Sequence, residues 1–138
     1  MMSDGEDEHR TNIEVKYQAK GNVLIAGLGI GMVLTEILKK KEVKHITVIE
    51  LSQDVVDLVS PYIKHKKLEI ICVDIFNWYP VNKEQYDTIY FDIWPDLCTD
   101  DLAAMKTLHS RFRSYKAKDG WMSSWNIDAL KRRKRQGL

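Results

Sequence analysis

Three short stretches of this 138-residue chain carry residue types and spacings suited to chemistry on a ligand. The first is Ala26-Gly27-Leu28-Gly29-Ile30-Gly31, a G-x-G-x-G run directly after Val23-Leu24-Ile25. Glycines there let the chain turn tightly and let a ligand meet bare backbone instead of a Cβ. A dinucleotide fingerprint would place its third glycine at position 32, which is Met32, and there is no G-x-x-x-x-G-K-[ST] phosphate loop. Taken alone, the run is equally a tight strand-to-helix turn.

The second signal is a pair of acids. Glu50 closes the β-branched run Ile46-Thr47-Val48-Ile49, where a carboxylate can accept from a ribose 2′- and 3′-hydroxyl pair. Asp74 follows Leu68–Val73 and precedes Ile75 and Phe76. It can accept the exocyclic amine of an adenine whose ring those apolar side chains hold. Singly, each acid is an ordinary polar strand terminus. In this order behind the glycine run, the signals converge on one adenosine-containing ligand. The third stretch is Asp92-Ile93-Trp94-Pro95-Asp96, a carboxylate beside a large ring and a stiffening proline.

Positioning these stretches requires strands that alternate with helices. Val23–Ala26 is a continuous apolar run, as in a strand buried on both faces. Val33, Leu34, Ile37 and Leu38 then fall at helical spacing, and Lys39–Lys41 suit the end of that helix. Ile46–Ile49 reads as the second strand, and Ser52 is placed to cap a helix carrying Val55, Val56, Leu58, Val59 and Tyr62. Leu68–Val73 and Asp87–Phe91 are the third and fourth strands. Thr99 or Asp100 can cap a helix with the stripe Leu102, Met105, Leu108, Phe112 and Tyr115. Asp119-Gly120 is expected as a turn and Trp121–Trp125 as a fifth strand. Such alternation needs right-handed crossovers. The expected fold is therefore an α/β, Rossmann-like, doubly wound, mostly parallel sheet with helices on both faces, truncated after the fifth strand. Residues 1–20 form a polar lead-in, 21–128 the domain and 129–138 a basic tail.

The segments VLIAGLGIGMVLTEIL, ITVIELSQDVVDLV, LEIICVDIFNW and YDTIYFDIWPD resemble the class I S-adenosylmethionine-dependent methyltransferases. Within them the chain is most similar to the spermidine synthase-like branch, including small phage-type members. The resemblance runs over residues 22–96 and more loosely to Trp125. It implies S-adenosylmethionine as cofactor, held by Gly27, Leu28, Gly29 and Gly31 at its methionine part, Glu50 with Leu51 at the ribose, and Asp74 with Ile75 at the adenine. It further implies that Asp92 faces the acceptor, either as a base for an acceptor amine or as a partner of the cofactor's ammonium group; both roles are open. Trp94 is either a packing residue or a platform for the acceptor. Ile25 and Ile30 stand where relatives carry acids, the latter in polyamine synthases, and Ser52 replaces a further acid of those synthases. The implied activity is methyl transfer to an unknown acceptor. The alternatives are aminopropyl transfer and a non-catalytic, regulatory cofactor-binding module.

Composition narrows the remaining classes. With 44% hydrophobic and 30% charged residues the chain is not a disordered one. No apolar run approaches the roughly 20 residues that cross a bilayer, and the N-terminus is acidic, so a cytoplasmic protein without a membrane partner is expected. Cys72 and Cys98 lack metal-ligand spacing, and His9, His45, His65 and His109 stand singly, so no metal is expected. Lys131–Arg135 can bind phosphates through the basic tail, but a solvated terminus is the favoured reading there, and nucleic acid is not the expected partner. An unpaired edge at the fifth strand, with Trp121 and Trp125 on it, predicts a homo-oligomer, most simply a homodimer.

Overall fold

The computed structural model describes residues 14–28, 31–81, 85–93, 101–124 and 131. Five strands form one sheet in the order β3-β2-β1-β4-β5, and every neighbouring pair is parallel. They are β1 (Gly21–Ala26), β2 (Val43–Glu50), β3 (Leu68–Cys72), β4 (Tyr86–Phe91) and β5 (Lys116–Ser124). Helices α1 (Gly31–Leu38), α2 (Gln53–Val59) and α3 (Asp101–Phe112) lie between them, with a helical turn at residues 14–18 before β1. The doubly wound, Rossmann-like reading of the sequence is the fold observed.

Period-two alternation splits the strand residues between two cores, which is what helices on both faces demand. Val23 and Ile25 of β1, Ile46 and Val48 of β2 and Tyr90 of β4 pack with Val15, Leu34, Ile37 and Ile63. Leu24, Ala26, Ile49, Ile89 and Phe91 point the other way, onto Leu108 and Phe112 of α3. Four residues of the stripe expected on α3, Leu102, Met105, Leu108 and Phe112, are its buried residues, whereas Tyr115 lies in the helical turn 113–115 after it and is half-buried. Ser52 caps α2 as expected, its Oγ accepting from the Val55 N–H at 3.3 Å.

Two expectations need correction. The fifth strand begins at Lys116, not Trp121, and its register jumps between the pairs Tyr86↔Lys116 and Thr88↔Trp121. Asp119-Gly120 is therefore an irregular stretch inside β5, where the extra residues bulge, and not a turn before it. The third strand ends at Cys72, not Val73, and Cys72 is exposed there, with its thiol 3.6 Å from the Leu51 carbonyl. Among the described residues no helix is long and apolar enough to cross a membrane. No group of three or more His, Cys, Asp or Glu among them could hold a metal ion.

Candidate active site

The carboxyl ends of parallel strands share one edge, and the sheet reverses its strand order between β1 and β4, where such folds bind ligands. Register fixes which residues arrive there. Ala26 lies opposite both Ile49 and Phe91, so Gly27, Glu50 and Asp92 come next to one another just beyond the strands. Main-chain bonds extend the ladders into this edge: Gly27 N–H to Ile49 O at 2.8 Å, Asp92 N–H to Ala26 O at 2.8 Å and Val73 N–H to Glu50 O at 3.0 Å.

Gly27 turns the chain with φ at +107°, and a Cβ on it would stand 2.1 Å from the Asp92 carbonyl oxygen. Only glycine fits, and the backbone there is bare. Leu28 is fully buried, yet its N–H donates to Glu50 Oε1 at 2.8 Å. Glu50 Oε2 accepts the Ser52 N–H at 2.9 Å. The half-buried carboxylate is thereby aimed and held by two backbone donors from the loops on either side of it. Each oxygen keeps acceptor capacity for a ligand.

Asp74 closes its own loop. Its Oδ1 accepts the Phe76 N–H at 3.0 Å and its Oδ2 an Asn77 side-chain N–H at 3.3 Å. The sequence reading set the Ile75 side chain against a ring, but Ile75 is buried in the α3-side core and has only its main chain to offer. Open apolar surface lies instead on Leu51, 69% exposed, and on Phe76, 38% exposed. Gly31 opens α1, whereas Gly29, Trp94, Pro95, Asp96 and Trp125 lie outside the described residues.

Two contributors escaped the sequence reading. Arg111 of α3 donates to the carbonyls of Ile75 at 3.2 Å, Phe76, and Trp78 at 2.8 Å, and its guanidinium lies 4.1 Å from the Tyr79 ring centre. It therefore clamps the loop after Asp74 onto the domain. Its only sequence signal was a cation in the last turn of α3, a place where cations are common for other reasons.

His109, one of the four histidines that stand singly in the sequence, is the second. Its Nε2 lies 2.6 Å from Ser124 Oγ and its ring 5.6 Å from that of Phe91, the residue before Asp92. Burial first, then the charges of Lys131 and Arg113, lower its pKa from 6.5 to about 4. The unfolded chain binds this proton below pH 6.5 while the folded chain refuses it until about 4. Stability must therefore fall as pH drops through that window. Discounted for partial exposure, the loss between pH 7 and pH 5 should be about 1 kcal/mol. Urea denaturation at the two pH values checks this: His109→Gln should flatten the dependence, and an unchanged slope would remove His109 as its cause.

A parallel sheet of this order with a glycine turn after β1 and an acid ending β2 defines a Rossmann-like fold of the class I methyltransferase type. Residues 12–120 match the spermine/spermidine synthase domain, and the chain belongs to that family. It is 30% identical over 118 residues to polyamine aminopropyltransferase 1 of Streptomyces coelicolor, covering 75% of this chain and 22% of that protein. It is 32% identical over 94 residues to the polyamine aminopropyltransferase of Buchnera aphidicola subsp. Schizaphis graminum, covering 62% of this chain and 33% of that protein. The chain thus spans about a fifth to a third of these relatives.

Solved structures share the fold at lower identity. The N-methyltransferase NodS from Bradyrhizobium japonicum aligns with a TM-score of 0.66 at 17% identity, over 89% of this chain and 70% of that one. The plantazolicin methyltransferase BpumL in complex with SAH aligns at 0.62 and 18% identity, over 88% and 50%.

Proposed function

We propose that the chain binds S-adenosylmethionine across the carboxyl edge of the sheet and transfers its methyl group to an acceptor beside Asp92. The observation that carries this reading is the Glu50 carboxylate, held by the Leu28 and Ser52 N–H groups at the level of Gly27 and Asp92. The residues present suit an adenosyl cofactor. Glu50 has acceptor capacity for two ribose hydroxyls, Gly27 leaves backbone open for the amino-acid part, and Leu51 and Phe76 leave apolar surface for the base. Asp74 and the main chain of Ile75 lie on the loop that would border the base. When bound, such a cofactor supplies an activated carbon on sulfur and a neutral thioether as leaving group.

The chain's own part is to orient and to move a proton. Asp92 is anchored through its N–H to Ala26, and its carboxylate can take a proton from an acceptor amine or hold the cofactor's ammonium group. Asp92→Asn decides between these roles. A base predicts cofactor affinity within a few-fold of the parent chain and turnover lost by about 100-fold or more. Lost affinity would assign Asp92 to the ammonium group and end the catalytic role.

Membership of the spermine/spermidine synthase family favours a second reading, aminopropyl transfer from decarboxylated S-adenosylmethionine to a polyamine. Ile30 and Ser52, in place of the acids of polyamine synthases, favour methyl transfer. The nucleoside product separates them. Chromatography of reactions supplied with each donor should reveal S-adenosylhomocysteine for methyl transfer, whereas methylthioadenosine formed with a diamine would replace it by the second reading.

A further inference from the structure

Two lysine-rich turns far apart in sequence meet at the amino edge of the sheet, opposite the candidate active site. Residues 39–45 precede and open β2, residues 64–67 precede β3, and together they hold seven lysines against one acid, Glu42. The two strands start side by side, with Ile46 opposite Leu68 and the Ile46 N–H on the Lys67 carbonyl at 2.9 Å. Lys67 Nζ donates to the carbonyls of Leu38 at 3.4 Å and Lys40 at 3.1 Å. Lys40 Nζ in turn donates to the carbonyls of Lys16 at 2.5 Å and Tyr17 at 3.1 Å. Residues 16–17, 39–41 and 64–67 are thus stitched into one continuous surface.

Lys40 and Lys67 serve that stitching, but Lys39, Lys41, Lys44, Lys64 and Lys66 are exposed. None of these five has an ion-pair partner among the described residues. Like charges gathered in such excess over acids cost stability unless an anion meets them. Exposed aromatic rings accompany the charge, with Tyr17 at 77% and Tyr62 at 83%. Next to them lies a hollow of about 210 Å³ lined by Ser60, Ile63, Lys64, His65, Leu68 and Ile70.

We propose that this amino-edge surface docks single-stranded nucleic acid. The free lysines would meet successive phosphates, the two tyrosines would stack on bases, and the hollow would take one flat ring. Exposed tyrosines and an apolar hollow between lysines suit unpaired bases, which a duplex keeps inside its stack. A lipid surface would use the charge but leave the hollow without a role. The surface faces away from Glu50 and Asp92, so it holds a strand without presenting it to them.

The test is fluorescence anisotropy of a labelled oligouridine strand of about 20 nucleotides with the full chain. Binding should weaken with salt along a log–log slope of about −3, the value for about four phosphate contacts. The variant K41E/K44E/K64E/K66E should bind at least about tenfold more weakly with a shallower slope. Y17A/Y62A should bind about fivefold or more weakly with the slope unchanged. All these side chains are exposed, and a thermal melt verifies that the variants fold. Glu50→Ala should bind the strand like the parent, so failure of the cofactor site leaves this result untouched. No binding, equal binding by the charge-reversed variant, or binding to anionic phosphatidylserine vesicles but not to the strand would overturn the proposal.

Discussion

Gly27→Ala should destabilise the domain by about 3–5 kcal/mol. Two costs combine. A φ of +107° is strained for any residue with a side chain, and the added Cβ would sit 2.1 Å from the Asp92 carbonyl oxygen and 2.8 Å from its carbon. Neither atom is the movable end of a side chain. Both belong to backbone that the Asp92 N–H ties to β1 at 2.8 Å. Relief therefore requires parting β1 from the segment after β4, which takes apart the candidate site itself. Urea denaturation with a matched circular dichroism spectrum gives the measurement. A loss under about 1 kcal/mol would show that the turn tolerates a side chain and that its conformation is not what the glycine is for.

Glu50→Ala should lower affinity for the adenosyl cofactor by about 10- to 150-fold, corresponding to about 1.5–3 kcal/mol of charge-assisted hydrogen bonding. It should also lower stability by about 2–4 kcal/mol, because the Leu28 and Ser52 N–H groups both lose their acceptor. Glu50→Gln separates the effects. The amide keeps one acceptor oxygen but turns N–H groups toward a backbone N–H, so both losses should persist at reduced size. Unchanged cofactor affinity in a folded Glu50→Ala chain would move the ribose site elsewhere.

What was legible in the sequence was what local spacing controls. The apolar runs at 23–26 and 46–49 are strands because a parallel sheet buries both faces, and Ser52 caps α2 because its hydroxyl reaches Val55 three residues on. The approach of Gly27, Glu50 and Asp92 followed in the sequence only from the family resemblance; the strand order and register of the sheet are what fix their common level. Less legible were contacts made by long side chains across the fold. Arg111 reaches carbonyls 33 to 36 residues away, and carbonyls carry no sequence identity. The pairing of His109 with Ser124 depends on where β5 lies against α3, and the register jump in β5 hid that. Ile75 is buried against the α3 side, where Arg111 holds its carbonyl, and alternation beyond the end of β3 gave no guide to which apolar residue stays open. The lysine surface was invisible for the same reason: Lys39–Lys41 read as a helix end until β3 placed residues 64–67 beside them.

Isothermal titration of the parent chain and Glu50→Ala with S-adenosylmethionine, decarboxylated S-adenosylmethionine and S-adenosylhomocysteine tests the central claim most directly. Saturable one-to-one binding of at least one of these by the parent chain is expected, weakened about tenfold or more in the folded variant. No heat of binding from any of the three at millimolar ligand, or equal affinity in parent and variant, would contradict it.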